Sequence, residues 1–205
     1  MLRLIGDVHG KFEQYIPIAQ QAEYSIQLGD LGFEYDEMSK LDSKRHKVIA
    51  GNHDNYEKQD GRFVLQTEHF LGDYGIYEVD GKRIFFIRGG RSIDKESRME
   101  GYRWWRDEEL TYVEATNALG FYMDTKPDFV ISHECPVYVV EYCFSGRTWN
   151  GQAIRPSMTA NLLQTMFENH QPKEWFFGHH HRNLTIDFNG TNFHCLKELS
   201  YCDIP

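Results

Sequence analysis

The sequence predicts an α/β fold with a mainly parallel sheet, on three observations. Short apolar runs recur, and each ends abruptly in a polar cluster. Leu2-Arg3-Leu4-Ile5 precedes Gly6-Asp7-Val8-His9, Tyr24-Ser25-Ile26-Gln27-Leu28 precedes Gly29-Asp30, and Lys47-Val48-Ile49-Ala50 precedes Gly51-Asn52-His53-Asp54. The intervals are alike, 23 residues from Asp7 to Asp30 and 22 from Asp30 to Asn52, which suits one helix and one strand per unit. Strands alternating with helices take right-handed crossovers. All three polar clusters then face one sheet edge, the edge where open α/β sheets place their chemistry.

Each element has its own local signal. Leu2 to Ile5 reads as the first strand. Lys11 to Ala22 reads as a helix with Phe12, Tyr15, Ile16 and Ala19 near one face, and Pro17 should kink or shorten it. Tyr24 to Leu28 is the second strand, the polar stretch from Glu34 to Arg45 holds a helix, and Lys47 to Ala50 is the third strand. Tyr74 to Val79 and Arg83 to Arg88 flank Asp80-Gly81, a favoured hairpin turn. Gly89-Gly90 frees the chain to turn. A helix follows from Asp107 to Leu119, with Asp107 as N-cap and Glu108-Glu109 at the positive end of its dipole. Asp128 to Ser132 is a strand ending at His133, and Cys135-Pro136 stops it. Tyr138 to Gln152 is punctuated by glycine and reads as a loop or an insertion. Ser157 to His170 reads as an amphipathic helix through Met158, Leu162, Met166 and Phe167. Glu174 to Phe177 is a strand ending in Gly178-His179-His180-His181, and Leu184 to Phe188 and Thr191 to Leu196 surround Asn189-Gly190, a strong hairpin signal.

Composition sets the limits. The chain has 205 residues, 40% apolar and 26% charged, with no linker or repeat. That suits one domain over residues 1–205 with a real core. The apolar stretch at the N-terminus is too short for a signal peptide, and no run approaches the ~18 residues of a membrane span. A cytoplasmic protein without membrane contact is expected. Cys135, Cys143, Cys195 and Cys202 show no paired spacing and are expected to be reduced. The net charge of −9 argues against broad electrostatic binding of nucleic acid. The charge is uneven, however. Lys82 to Arg106 holds eight basic and three acidic residues, +5 locally, so the remainder carries −14. That segment is either a solvated surface or an attractor for an anionic substrate.

The predicted strand ends collect Asp7, His9, Asp30, Asn52, His53, His133, His179 and His181. All are oxygen or nitrogen donors and none is a thiolate, a set that suits borderline divalent ions. Gathering so many polar groups without a cation would cost several kcal/mol per unpaired group. Two cations about 3.5–4 Å apart would relieve that cost. They would also activate water near neutral pH and neutralise phosphate oxygens. His53, on the loop of Asn52, is placed to protonate a leaving oxygen or to hold a phosphate.

Gly6-Asp7-Val8-His9, Gly29-Asp30, Gly51-Asn52-His53-Asp54, His133 and Gly178-His179-His180-His181, in that order, resemble the five motifs of the calcineurin-like metallophosphoesterase superfamily. The match spans residues 6 to 181, nearly the whole chain. The resemblance implies a four-layer αββα sandwich with two mixed sheets. It implies one metal on Asp7, His9, Asp30 and His181 and another on Asp30, Asn52, His133 and His179, with Asp30 bridging. His180 falls at the variable position, and Asp54 would orient His53. The implied cofactors are two divalent ions, Mn²⁺ first, with Fe, Zn, Co, Ni or Mg as alternatives. The implied activity is hydrolysis of a phosphomonoester or phosphodiester by direct attack of a metal-bridging hydroxide. His53 would act as general acid or phosphate stabiliser. The alternatives are a non-catalytic metal-binding scaffold of the same fold and a nuclease, the latter disfavoured by the acidic balance. The oligomeric state is left open.

The chain departs from the Ser/Thr phosphoprotein phosphatases of that superfamily. Gly29-Asp30 continues as Leu31-Gly32-Phe33-Glu34, and Gly-Asn-His-Asp continues as Asn55-Tyr56-Glu57, neither with the arginine that grips phosphate. Arg91 or Arg98 in the basic loop would have to supply that grip. The stretch from Gly89 to Lys95, with Arg98 and Trp104-Trp105, is similar to one in small bacterial and phage members. Trp104-Trp105 reads as core packing or a lid over the site, in preference to base stacking.

Overall fold

Alternation along each strand decides the layers. In a computed structural model, residues 1–33, 35–56, 67–144, 153 and 157–205 are described. Strand β1 (Leu2–Ile5) sends Leu2 and Leu4 to one side and Ile5 to the other, and all three are buried. It pairs in parallel with β2 (Tyr24–Gln27), which pairs in parallel with β3 (His46–Val48). The third strand therefore starts one residue earlier than the apolar run suggests. The chain keeps its register past Val48, because Ile49 N–H bonds Gln27 C=O at 3.0 Å. Helix α1 (Phe12–Gln20) links β1 to β2 and is shorter than predicted, with Pro17 inside it. The helix expected between Glu34 and Arg45 is a short 3₁₀ helix, Tyr35–Lys40.

A second sheet has the order β4-β5-β6-β7-β9-β8. Strands β4 (Tyr74–Val79) and β5 (Lys82–Ile87) form the hairpin at Asp80-Gly81, whose residues have φ of 52° and 72°, the positive values a tight primed turn needs. Strands β5, β6 (Phe129–Ser132), β7 (Glu174–Phe177) and β9 (Thr191–Cys195) run parallel, and β8 (Leu184–Phe188) closes the edge antiparallel. This sheet is therefore mixed, and so is the first, where a last strand, Tyr201–Ile204, pairs antiparallel with β1.

Between the sheets lie Leu2, Leu4, Ile26 and Leu28 from one and Ile84, Phe86, Ile131 and Phe176 from the other. The neighbours in sequence, Phe85, Ile87, Val130, Trp175 and Phe177, turn to the opposite face. There they meet α2 (Tyr112–Thr125), α3 (Val137–Phe144) and α4 (Met158–Asn169). Ile5 and Val48 meet α1 through Phe12, Tyr15 and Ala19. Helix, sheet, sheet, helix is the four-layer αββα sandwich. Burial on both faces explains why the strands read as apolar runs without alternation.

Three local expectations are corrected. Helix α2 is capped by Thr111, not Asp107. The Thr111 hydroxyl accepts from Glu114 N–H at 3.3 Å, while the Glu114 carboxylate accepts from Thr111 N–H at 2.7 Å. This capping box is legible as Thr-Tyr-Val-Glu and outcompetes Asp107. The predicted loop from Tyr138 is α3 as far as Phe144, because Val139, Val140 and Phe144 bury one face; residues 145–152 lie outside the described residues. On α4 the exposed Met158 is off the apolar face, which Leu162, Leu163, Met166 and Phe167 form instead.

The sequence reading also missed β10 (Tyr201–Ile204), which pairs antiparallel with β1. Its clamp is Arg3, whose guanidinium donates to both oxygens of Asp203 at 2.7 and 2.8 Å and to Ile18 C=O at 2.9 Å. The hydrogen bond from Arg3 holds the Asp203 carboxyl below its usual value. A depressed carboxylate contributes stability above its unfolded pKa, and that contribution disappears as pH falls through the folded value. Asp203→Ala is expected to cost about 1–2 kcal/mol at pH 7 and progressively less below about pH 4, measured by urea unfolding. All four cysteines are free. Among the described residues no helix is long and apolar enough to cross a membrane.

Candidate metal centre

The predicted polar clusters converge at the C-terminal edges of both sheets. Asp7 follows β1, Asp30 follows β2, Asn52 and His53 follow β3, His133 follows β6, and His179 and His181 follow β7. Donor atoms of Asp7, His9 and His181 lie within 4.8 Å of one another, and so do those of Asp30, His133 and His179. Asp30 stands between the two groups. Its Oδ2 is 3.7 Å from His9 Nε2 and its Oδ1 is 3.2 Å from His133 Nε2. Asn52 Oδ1 joins the second group, 3.0 Å from His133 Nε2.

The backbone is bent to achieve this. His9, Asp30, His179 and His181 all have positive φ, 49°, 58°, 63° and 51°. Such values are uncommon outside glycine and cluster at functional sites. Glycines in the same motifs leave no room for a side chain. A Cβ on Gly51 would lie 2.3 Å from Asp30 Oδ1, and one on Gly178 would lie 2.3 Å from Asp7 Oδ1.

Two atoms show that the arrangement fits cations. Asp7 Oδ2 and His9 Nε2 are fully buried without a hydrogen-bond partner, although buried polar atoms are ordinarily satisfied. Both point into the first donor group, where Asp7 Oδ2 is 3.8 Å from His9 Nε2 and 3.6 Å from His181 Nδ1. The charges agree. Burial alone would lower the His133 pKa, but Asp30 and then Asp7 override it and push it up to about 10. In the metal-free chain a proton on His133 therefore stands in for the cation that these buried carboxylates demand. Its other nitrogen, Nδ1, faces Leu28 C=O at 2.8 Å, which fixes the ring and leaves Nε2 for the donor group.

A surrounding set of residues escaped the sequence reading. Glu134, buried beside His133, accepts from His179 Nε2 at 3.2 Å and from His180 Nε2 at 2.7 Å. Burial would raise its pKa, but the two imidazoles hold it well below the usual carboxylate range. This carboxylate turns His179 so that Nδ1 faces His133 Nε2 at 3.2 Å. It also turns His180 away, onto the Phe144 ring. Glu134, Cys135 and His180 form a third group of donor atoms, but burial raises the Cys135 thiol well above its ordinary pKa. The thiol stays protonated, and hydrogen bonds account for this group. On the other side, Asn52 Nδ2 donates to Ser92 Oγ at 3.1 Å, and Ser92 Oγ donates to buried Glu108 at 2.7 Å. That relay aims the Asn52 oxygen at His133. Groups that orient metal-binding side chains typically change affinity 10- to 100-fold when removed. Glu134→Gln is expected to weaken Mn²⁺ binding by about that factor with the fold intact, read by calorimetry and circular dichroism.

The role expected of Asp54 is corrected. Its carboxylate does not reach the His53 imidazole, because backbone donors take both oxygens. Oδ2 accepts from Asp30 N–H at 3.0 Å and Gly51 N–H at 2.7 Å, and Oδ1 from Leu31 N–H at 3.0 Å and Gly32 N–H at 3.3 Å. Asp54 thus ties the second motif loop to the third. His53 is held otherwise. Its N–H donates to Asp30 Oδ1 at 2.7 Å, and its ring lies 5.1 Å from that of His9. The guanidinium of Arg98 reaches its two ring nitrogens at 2.8 and 3.2 Å. Burial first, opposed by Asp30 and then reinforced by Arg98 and His9, brings the His53 pKa down to about 4. Of the two arginines proposed for phosphate, Arg98 meets His53, while half-buried Arg91 is outside the lining of the cavity beside it.

With this geometry in view, the comparisons with known proteins agree. A family model, the calcineurin-like phosphoesterases, matches residues 2–183, and the chain belongs to that family. No curated protein matches the sequence. Among solved structures, the chain is similar to the phosphopantetheinyl hydrolase of Mycobacterium tuberculosis. The TM-score is 0.53 at 14% identity, over 96% of this chain and 89% of that one. It is also similar to GAP50, the anchor in the inner membrane complex of Plasmodium. There the TM-score is 0.51 at 11% identity, over 96% of this chain and 71% of that one. At such identities the likeness shows the fold alone.

Proposed function

We propose that this chain is a dinuclear-metal-dependent phosphoesterase acting on a phosphomonoester. The observation that carries the reading is Asp30, whose two oxygens face separate donor groups while its neighbour His53 carries Arg98 on its imidazole. Asp7, His9, Asp30 and His181 would hold one ion, and Asp30, Asn52, His133 and His179 the other. Oxygen and nitrogen donors without a thiolate suit borderline divalent ions, and we place Mn²⁺ first, with Fe, Zn, Co, Ni or Mg as alternatives. When bound, the ions supply charge neutralisation at the phosphate oxygens and an activated water.

The chain's own residues do the rest. Arg98, held by Asp94 at 2.8 Å, would turn its guanidinium from the His53 ring to a phosphate dianion, whose oxygens its fork of donors matches. That dianion brings the negative charge His53 needs to take up a proton. His53 then hands that proton to the leaving oxygen as the P–O bond breaks, while a water oxygen bonds to phosphorus and its released proton goes to solvent, from which His53 is protonated again. A diester offers the arginine one charge fewer, so the monoester is the better match.

The test is turnover of p-nitrophenyl phosphate against bis-p-nitrophenyl phosphate with added Mn²⁺. The monoester is expected to be preferred, and EDTA to abolish the rate. Metal binding without turnover of either ester would contradict this reading and favour a scaffold. Arg98→Met is expected to raise KM for the monoester about 10- to 100-fold while leaving metal stoichiometry at two.

A further inference from the structure

A cavity of about 890 Å³ opens beside His53, within the size range of small-molecule sites. It adjoins the centre described above and shares His53 and Arg98 with it. Beyond these two, the lining includes Asp94, paired with Arg98 at 2.8 Å, and Phe33, Met99, Tyr102 and Trp105. The polar part joins the donor groups through His53. The rest is aromatic and apolar.

The aromatic side is built in two parts. Trp105 is buried and packs into the core around α1, so its ring is a fixed wall. Phe33 leans on it with ring centroids 5.6 Å apart. Phe33, Met99 and Tyr102 are nevertheless 42%, 71% and 64% exposed. Three large apolar side chains exposed around one opening, next to a polar site, mark a face that meets a ligand. The Arg103 guanidinium lies 5.6 Å from the Tyr102 ring centre, which helps hold that side chain at the mouth.

The position of His53 says which half of the substrate reaches this face. A general acid sits at the leaving oxygen. Whatever that oxygen carries extends away from phosphorus on the His53 side, and the cavity is on the His53 side. A methyl or glycerol group would leave the aromatic faces uncovered. A flat ring would stack on them, a contact that tolerates any base because each has a π-face.

Resting on the phosphoesterase reading, we infer that the alcohol half of the substrate carries a planar aromatic ring of the nucleoside type. Its phosphate lies on Arg98 and its ring lies against Phe33, Tyr102 and Trp105.

The decisive comparison is adenosine 5′-monophosphate against ribose 5-phosphate with Mn²⁺. Both release a primary 5′ alcohol from the same dianion, and they differ in the base. The nucleotide is expected to exceed the sugar phosphate in kcat/KM by roughly 10-fold or more, mostly through KM. Tyr102→Leu and Phe33→Ala are expected to bring that ratio towards one, whereas Tyr102→Phe retains it. Equal turnover of the two esters, or a ratio indifferent to Tyr102→Leu, would overturn the inference. So would turnover of p-nitrophenyl phosphate without turnover of the nucleotide. Titration of the Mn²⁺-loaded chain with adenosine 5′-monophosphate by calorimetry separates binding of the ring from hydrolysis of the ester. Binding weakened by Tyr102→Leu without any hydrolysis would sink the phosphoesterase reading and keep the ring site. No binding would sink the ring site.

Discussion

Replacing Asp30 with asparagine is expected to abolish metal binding at both positions and to slow phosphoester turnover about a thousand-fold or more, on the order of 4 kcal/mol. Asparagine keeps the size and one oxygen but loses the second anionic oxygen. In this structure the two oxygens of Asp30 serve different donor groups, one 3.7 Å from His9 and the other 3.2 Å from His133. The substitution should also change how stability depends on pH. In the metal-free wild type, His133 is raised to about 10 by Asp30 and then Asp7, against burial. A raised histidine contributes stability that is complete below its unfolded pKa of about 6.5 and is lost as pH rises through the folded value. The metal-free chain should therefore weaken between about pH 6.5 and 10, and Asp30→Asn should show much less of that slope. Urea unfolding in EDTA at several pH values measures both. An unchanged slope would mean that His133 does not respond to Asp30.

Asp54→Ala is expected to destabilise the metal-free chain by about 3–5 kcal/mol, among the largest effects of any single change. Four buried backbone N–H groups from two motif loops converge on that carboxylate. Alanine leaves all four without an acceptor. Asp54→Asn keeps one oxygen and should fall between alanine and wild type. The reading would fail if Asp54→Ala unfolded at the wild-type urea midpoint and lost only turnover. That result would return Asp54 to the role of orienting His53.

The sequence was most informative where chemistry follows a short buried strand. Val48 and Ile131 lie on strands buried on both faces, so they read as apolar runs, and the polar residue after each run could be placed at a sheet edge. The existence of two sheets was not legible from periodicity. Phe85 and Phe86 look alike in sequence, yet one faces the helices and the other faces the first sheet. Strand β10 was hidden because Tyr201 to Ile204 is short and half exposed, and it is recruited by an arginine 200 residues away.

The residues around the donor groups were harder to read for a related reason. Glu108 looked like an acid at a helix start, but its carboxylate is buried on Ser92 in the relay to Asn52. Glu109, beside it, accepts from Thr159 N–H at 2.9 Å in the first turn of α4. Glu134 carried the clearest missed signal, an acid directly after the histidine of an apolar strand. Arg98 could be nominated for phosphate from the basic loop, but its choice over Arg91 needed the fold to bring it against His53.

The most direct measurement is anomalous diffraction from crystals of the chain grown with Mn²⁺. Two peaks are expected on either side of Asp30, one among Asp7, His9 and His181 and the other among Asn52, His133 and His179. A single peak, or none touching Asp30, would contradict the dinuclear centre.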